Sequence, residues 1–167
     1  MHDVALASWR YAYSWLTPEF IVEWVGAAYG RAALDQARAA VHEGTTEFWV
    51  AAEGERVVGF AHVGDRGQGL ELVRLYVLPS HIAKGIGTGL LWLAEQYVRR
   101  KGGNSYFCYV HPANERAMEF YRRKGFFHVP DKDKEKPPLW HMRKDLTLAG
   151  LTPPAVGHAA LAEDDRR

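Results

Sequence analysis

The stretch from Leu70 to Val98 constrains the fold more than any other part of this chain. It opens with an apolar run, LELVRLYVL, that stops at Pro79. Three glycines follow between Lys84 and Gly89, and apolar side chains then recur at helical spacing. Branched and aromatic residues ended by proline predict a strand, and the recurrence predicts an amphipathic helix. We therefore expect a strand buried on both faces, central in a sheet, joined by a tight turn to a helix.

The remaining segments predict helices before this unit and alternating helices and strands after it. Residues 3–43 have the apolar spacing of two or three helices, and Thr17 before Pro18 marks a helix start. Segments 48–52 and 57–63 predict a β-hairpin. The later elements are expected to be strand 105–110, helix 114–124 and closing strands at 126–129 and 139–148. This order predicts an α/β (α+β) fold with a mixed sheet of about six strands and helices on both faces.

Length and composition indicate one domain. The chain has 167 residues, of which 47% are hydrophobic and 25% charged. A chain of this size buries about 70% of the surface that its unfolded form exposes, which is enough for a core without disulfides or metal. We expect a single domain at residues 1–148. Residues 149–167 contain Pro153 and Pro154 and end in polar residues, so they are expected to form a flexible tail.

Charge and cysteine content limit the expected binding partners and the expected cellular compartment. Basic and acidic side chains number 21 and 20, so no excess of positive charge favours nucleic acid. The single Cys108 cannot form an internal disulfide, which favours a reducing cytoplasm. No apolar run reaches the ~18 residues of a membrane span, and the eight histidines have no paired metal-ligand spacing. We therefore expect a cytoplasmic protein with no metal and with no nucleic-acid or membrane partner.

The glycine turn is the first candidate binding site. Unpaired N–H groups and the positive dipole at a helix start suit a phosphate group, and Lys84 and Thr88 can add a charge and a hydroxyl donor. Two nucleotide motifs fail on spacing. A dinucleotide fingerprint needs glycine where Leu90 stands, and a Walker A motif is absent. The alternative is that the glycines only form a tight turn.

Two motifs at a fixed separation resemble the GNAT superfamily of acyl-CoA N-acyltransferases. The first is LELVRLYVLPSHIAKGIGTGLL at residues 70–91, and the second is NERAMEFYRRKGF at residues 114–126. Softer similarity extends the resemblance to residues 8–147. Two features depart from the family pattern: Ile82 stands at its usual glutamine or arginine, and the chain begins within the family's first helix. Either the start is truncated or the sheet lacks its first strand.

The resemblance implies that acetyl-CoA is the acetyl donor and lies along the central strand. Its pantetheine arm is expected to pair with main chain near Leu75, Tyr76 and Val77, in a slot where this strand diverges from strand 105–110. Asn114 matches a position that contacts the cofactor. The residues expected at the pyrophosphate are those of the glycine turn: Ala83, Lys84, Gly85, Ile86, Gly87 and Thr88.

Acetyl transfer to an amine needs a neutral nucleophile and a proton for the departing thiolate. The resemblance implies that Glu71, or a water that it orders, is the base, and that Tyr121 is the general acid. A phenol is protonated at neutral pH and so can supply that proton. From the residues alone, Glu71 is equally a solvated carboxylate at a strand end, and Tyr121 a core tyrosine beside Phe120.

The expected acceptor is a primary amine of a small molecule or peptide. It is expected between the first two helices, the loop 64–69 and the closing hairpin. Aromatic residues are frequent in the first helices, although spacings such as that of Phe20 and Trp24 are more typical of core packing. The alternative function is a catalytically weak acyl-CoA-binding or sensor domain. An unpaired edge strand also allows a homodimer.

Overall fold

A computed structural model describes residues 1–146 and 160–163 as five helices and eight strands. The helices are α1 (His2–Ala12), α2 (Pro18–Tyr29), α3 (Arg31–His42), α4 (Ile86–Arg100) and α5 (Glu115–Arg123). The strands are β1 (Thr46–Glu53), β2 (Arg56–Asp65), β3 (Leu70–Val77), β4 (Ser105–Val110), β5 (Phe127–His128), β6 (Lys134–Glu135), β7 (Pro138–Asp145) and β8 (Ala160–Glu163). Two or three leading helices were expected and three are present, and the expected hairpin and central strand–turn–helix unit are confirmed.

The strands form one mixed sheet in the order β5-β7-β4-β3-β2-β1-β8, and β6 pairs with β7 outside this path. All neighbours are antiparallel except β3 and β4, which are parallel. The mixed α+β architecture is confirmed, and β3 lies in the middle of the order as expected. The sheet has more strands than the expected six, because β6 and β8 add short pairings that the sequence pattern did not indicate.

Local sequence signals set the helix ends. The Thr17 hydroxyl accepts a hydrogen bond from the N–H of Phe20 at 3.3 Å, and Pro18 occupies the first turn of α2. The Asn114 side chain accepts from the N–H of Ala117 at 3.2 Å and caps α5. These caps satisfy N–H groups that the first helical turn leaves without partners.

Helices cover both faces of the sheet, and two neighbouring residues of β2 show which helices pack on each face. A Cβ atom at Gly59 would lie 3.2 Å from the Ile86 side chain, so α4 packs closely against this face. The next residue, Phe60, points the other way and meets the ring of Tyr29 from α2 at 5.8 Å. The alternation of a strand thus divides the core into an α4 face and an α1–α2 face.

The α4 face contains a buried ionic cluster. The carboxylate of Glu95, on α4, accepts hydrogen bonds from the Tyr106 hydroxyl at 2.9 Å and from the Lys144 ammonium at 2.5 Å. Glu95 is 7% exposed, so its charge depends on these two partners. Burial, and next the Glu95 charge, raise the pKa of Tyr106 well above its ordinary value. The cluster joins α4 to β4 and β7.

Three expectations about burial and order need correction. Of the strand β3 only Leu72 is buried, because this strand is open along part of one edge. The alternating charges of segment 131–136 (DKDKEK) are typical of a solvated loop, but Asp133 accepts from the backbone N–H of His141 at 2.7 Å and bonds to the ring of His128 at 2.8 Å. Most of the expected flexible tail lies outside the described residues, but Ala160–Glu163 forms β8 and pairs with β1.

Replacing Lys144 with methionine tests the ionic cluster. The Glu95 carboxylate would stay buried without a cation, so we expect Lys144→Met to lower the free energy of unfolding by about 2–4 kcal/mol in urea denaturation. The matched control is Arg143→Met on the same strand, because Arg143 pairs with Asp145 at the surface. That change should stay within about 0.5 kcal/mol. Equal effects of the two substitutions would contradict the assignment.

Candidate active site

The β3 and β4 strands diverge and leave a slot in the middle of the sheet. They share a single register pair, Glu71 with Phe107. On its other edge, β3 pairs with β2 along its whole length, from Leu70 to Val77. Beyond Glu71 the facing edges of β3 and β4 therefore have main-chain groups without a strand partner, and such groups need another hydrogen-bonding partner.

The direction of the main chain shows which β3 residues face this slot. Leu78 donates its N–H to the carbonyl of Val58 on β2 at 2.8 Å. Because successive residues of a strand direct their main-chain groups to opposite edges, Leu75 and Val77 face the slot and Tyr76 faces β2. The Val77 carbonyl accepts a hydrogen bond from the Ser8 hydroxyl at 3.0 Å. Of the three residues expected to pair with pantetheine, two therefore direct their main chain into the slot.

The glycine turn lies at the end of β3 and forms the start of α4. Ala83 and Gly85 have left-handed backbone conformations, with φ of +65° and +84°. Helix α4 begins at Ile86 without a side-chain cap, and its first helical hydrogen bond runs from the N–H of Gly89 to the carbonyl of Gly85. The preceding amides, including those of Gly87 and Thr88, are the free donors of a helix start. Lys84 is exposed beside them.

The turn is fixed to the rest of the sheet by a buried histidine. His81, in the 3₁₀ turn Pro79–His81, is 7% exposed, and its ring bonds to Glu53 at the end of β1 at 3.1 Å. Its other ring nitrogen bonds to the Ser80 hydroxyl at 2.9 Å. Ile82, at the position of the departure from the family pattern, is half-buried with an extended backbone. Packing of Ile82 and the hydrogen bonds of His81 thus fix the glycine turn in place, while the N–H groups at the start of α4 stay free.

Tyr121 projects from α5 into the buried region next to the slot. Its side chain is 8% exposed, and it lies close enough to the Cys108 thiol on β4 for each group to influence the pKa of the other. Burial raises the pKa of Tyr121 well above its ordinary value, with smaller contributions from Cys108, Tyr76 and Tyr13. Burial likewise raises the pKa of the Cys108 thiol. Both groups are therefore neutral at physiological pH.

Glu71 lies where β3 and β4 meet, at the closed end of the slot. Its charge is close enough to influence the pKa of Cys108 and that of Tyr109. Burial, and next Tyr76, raise the pKa of Tyr13, and Asn114 on the α5 side is close enough to lower it. Glu71 and Tyr121 thus both lie near Cys108, and Tyr13 lies near both Tyr121 and Asn114, a proximity that the sequence alone could not establish.

Aromatic side chains line the α1–α2 side of β3. Trp9 donates its ring N–H to the Tyr76 hydroxyl at 3.0 Å and stacks on Trp24 at 4.0 Å between ring centroids. The expectation that Phe20 and Trp24 are core residues is wrong, because they are 48% and 41% exposed. The buried residues of α2 are Ile21, Val25 and Tyr29, so Phe20 and Trp24 lie outside the face that packs on the core.

Sequence reasoning missed a polar group on this same side. Arg74 of β3 donates to the ring of His62 on β2 at 3.0 Å, and its guanidinium lies 4.9 Å from the centre of the Tyr29 ring. His62 also bonds to the Thr46 hydroxyl and stacks on Phe48 at 3.9 Å. The available signal was one arginine and one histidine within otherwise apolar strands.

Residues 1–146 and 160–163 contain neither a metal-binding cluster nor a membrane-spanning helix. These residues contain no group of three or more histidine, cysteine, aspartate or glutamate side chains arranged to hold a metal ion. Across the same part of the chain, every helix is too short or too polar to cross a membrane.

His62 makes the stability of the protein depend on pH. Burial, and next the charge of Arg74, lower the pKa of His62 from 6.5 to about 3. Above pH 6.5 the ring is neutral in both the folded and the unfolded chain, so its stabilising effect is fully present. As pH falls from 6.5 towards 3, only the unfolded chain binds the proton, and we expect the free energy of unfolding to fall by up to about 1.4 kcal/mol per pH unit.

The pH effect is measured by urea denaturation between pH 7 and pH 4 on the wild type and on His62→Gln. The variant should lose much of the slope, whereas His42→Gln, which changes an exposed histidine at the end of α3, should keep it. A His62→Gln protein with the slope of the wild type would mean that His62 is not the group responsible.

Comparisons with known proteins agree with this geometry. The acetyltransferase (GNAT) family matches residues 9–126. Spermidine N(1)-acetyltransferase of Thermoplasma acidophilum is 29% identical over 133 residues, which span 78% of this chain and 82% of that protein. The peptidyl-lysine N-acetyltransferase YiaC of Escherichia coli is 30% identical over 97 residues, or 56% of this chain and 60% of that protein.

A solved structure extends the similarity to most of the fold. The PaiA N-acetyltransferase of Thermoplasma acidophilum, crystallised in complex with coenzyme A, superposes with a TM-score of 0.78 at 27% identity. The match covers 86% of this chain and 89% of that one. The family match spans the slot, the glycine turn and Tyr121, and these findings together show that the chain belongs to the GNAT family of N-acetyltransferases.

Proposed function

We propose that this protein transfers the acetyl group of acetyl-CoA directly to an amine, with Glu71 as base and Tyr121 as general acid. The observation that carries the proposal is the slot between β3 and β4, which has Tyr121 beside it and the glycine turn at its end. A relative of similar fold was crystallised with coenzyme A, which supports acetyl-CoA as the donor.

The residues of the slot fit this donor chemically. The pantetheine arm carries amide groups, and the edge of β3 has main-chain groups at Leu75 and Val77 that can pair with them. The pyrophosphate is an anion, and the amides of Gly87 and Thr88, the helix dipole and the charge of Lys84 all favour an anion at the start of α4. Acetyl-CoA, when bound, supplies the activated acetyl group.

The donor arrangement also requires a group to stabilise the carbonyl oxygen during transfer. The register between β2 and β3 shifts next to Val73, so β3 has one extra residue there. Such a bulge disrupts the ladder and leaves the extra residue unpaired. A backbone N–H at this bulge is our candidate donor to the developing oxyanion.

Glu71 is suited to accept the proton of the amine, directly or through a water. It lies at the closed end of the slot, where the strands meet and the acetyl end of the donor is expected. The amine nucleophile must be neutral when it attacks the carbonyl carbon, so a carboxylate that removes its proton assists the reaction. The attack forms the new C–N bond, and collapse of the intermediate breaks the C–S bond.

Tyr121 is suited to return a proton to the sulfur. In water, a phenol is a weaker acid than a thiol, so proton transfer to a thiolate is unfavourable. Next to Tyr121, however, burial raises the pKa of the Cys108 thiol. A thiolate released in the same buried region is more basic than in water for the same reason. Burial raises the pKa of Tyr121 as well, so its hydroxyl first stabilises the thiolate through a strong hydrogen bond, and transfer of its proton to the sulfur is complete once the phenolate is itself reprotonated.

Acetyl-CoA binding is the first test. A hundredfold excess of acetyl-CoA over its Kd should stabilise the fold by about 2.7 kcal/mol, which at about 3 °C per kcal/mol raises the Tm by about 8 °C; NAD should have no effect. Gly85→Ala should reduce this shift, because φ of +84° disfavours a side chain. Gly102→Ala is the matched control at φ +75°, away from the slot. The absence of a shift would contradict the donor site.

Two conservative substitutions separate chemistry from binding. Tyr121→Phe and Glu71→Gln should each lower kcat by about 100-fold or more in an assay of CoA release, since each removes a proton-transfer group. The Tm shift with acetyl-CoA should persist in both. Tyr97→Phe, a buried tyrosine of α4 that packs on Trp49, is the control and should keep its activity. Acetyl-CoA binding without transfer to any amine in the wild type would favour the alternative, an acyl-CoA-binding or sensor domain.

A further inference from the structure

We propose that the preferred acceptor carries an anionic group, such as the carboxylate of an amino acid, and that Arg74 binds this group. The inference rests on the proposed function, because it names the class of amine that the enzyme acetylates. Arg74 and Glu71 are on the same strand, β3, three residues apart. At about 3.3 Å per residue they lie within about 10 Å of each other. The bulge at Val73 pairs them with Gly64 and His62, two residues apart on β2, so they share one face of the sheet and one small molecule can span them.

The charge of Arg74 has no partner in the described structure. Across residues 1–146 and 160–163, no carboxylate forms an ion pair with it; its contacts are the neutral ring of His62 and the face of the Tyr29 ring. It is also half-buried, in the middle of the sheet. A guanidinium in such a place is costly unless an anion completes its hydrogen bonds. By contrast, the buried carboxylate of Glu95 on the α4 face pairs with the ammonium of the half-buried Lys144.

A chain of hydrogen bonds holds Arg74 in position. The Thr46 hydroxyl donates its one proton to the Val63 carbonyl at 2.6 Å, so its oxygen must accept from Nε2 of His62. The neutral ring of His62 then has its lone pair on Nδ1, and this nitrogen accepts from Nη1 of Arg74 at 3.0 Å. One of five guanidinium donors is used, and the planar group is presented in a fixed orientation.

Two further observations favour an anion here. Arg66, in the loop after β2, is close enough to lower the pKa of His62, so a second cation acts on the same region. The Tyr29 hydroxyl is buried near Arg74 and Tyr76 without a hydrogen bond of good geometry. A carboxylate can accept from both a guanidinium and a phenol. A polycation such as spermidine would instead meet two positive charges.

The experiment compares acceptors that differ only in a carboxylate. With acetyl-CoA, we would measure kcat/KM for the proteinogenic amino acids and for the amines that their decarboxylation gives, together with spermidine and a lysine-containing peptide. We expect at least one amino acid to exceed its decarboxylated amine by about tenfold to a hundredfold, the effect of one charge-assisted bidentate contact. Arg74→Gln should remove this preference by raising KM for the amino acid, with little change for the plain amine.

Two further variants test the positioning chain. His62→Phe keeps the stacking on Phe48 but removes the acceptor for Arg74, so it should raise KM for the amino acid with a smaller effect on kcat. His62→Asn retains an oxygen near the position of Nδ1 and should restore part of the preference. Arg38→Gln, at an exposed arginine of α3, is the matched control for Arg74→Gln and should change neither constant.

The outcomes separate this inference from the proposed function. Preference for spermidine, the peptide or the plain amines in the wild type would overturn the anionic acceptor, and so would equal losses for both members of a pair in Arg74→Gln. Acetyl-CoA binding without acetylation of any amino acid would also overturn it while leaving the donor site intact. If acetyl-CoA does not raise the Tm, the proposed function itself fails.

Discussion

The whole arrangement depends on the single register pair between β3 and β4. A continuous ladder there would close the middle of the sheet, and every main-chain group would have a partner within the chain. Because the strands part after Glu71 and Phe107, an edge of β3 stays open, and α4 and α5 bring the glycine turn and Tyr121 to it. Main-chain groups without hydrogen bonds destabilise the fold unless another molecule bonds to them. The separation of β3 and β4 therefore makes this part of the sheet suited to ligand binding.

The charged side chains on the two faces of the sheet differ in whether they have partners of opposite charge. On the α4 face, Glu95 has both a cation and a phenol as partners, and the cluster closes on itself. On the α1–α2 face, the series of hydrogen bonds from Thr46 through His62 ends at Arg74. No carboxylate of the described residues pairs with this guanidinium, so its charge is available to a ligand. A buried polar cluster whose groups all have partners stabilises the packing of helices on strands. A cluster with an unsatisfied charge is stabilised only when a ligand supplies the missing partner.

Much of the fold followed from patterns that act locally. The strand–turn–helix unit, the Thr17 and Asn114 caps and the hairpin are set by neighbouring residues, so the sequence predicted them. The positions of Glu71 and Tyr121 near one thiol, and the bond between His62 and Arg74, depend on the pairing of distant strands, which no local signal gives. Exposed rings such as Trp24 were misassigned because periodicity indicates a face but not what covers it.

The pairing of Ala160–Glu163 with β1 has a consequence for the outer edges of the sheet. At one end of the strand order, β8 occupies hydrogen-bonding groups of Trp49 to Ala52. At the other end, β5 is only two residues long. Exposed strand edges promote pairing between molecules, and short or covered edges resist it. The segment Ala160–Glu163 therefore covers this edge of the sheet, and self-association through β1 would first require β8 to separate from it.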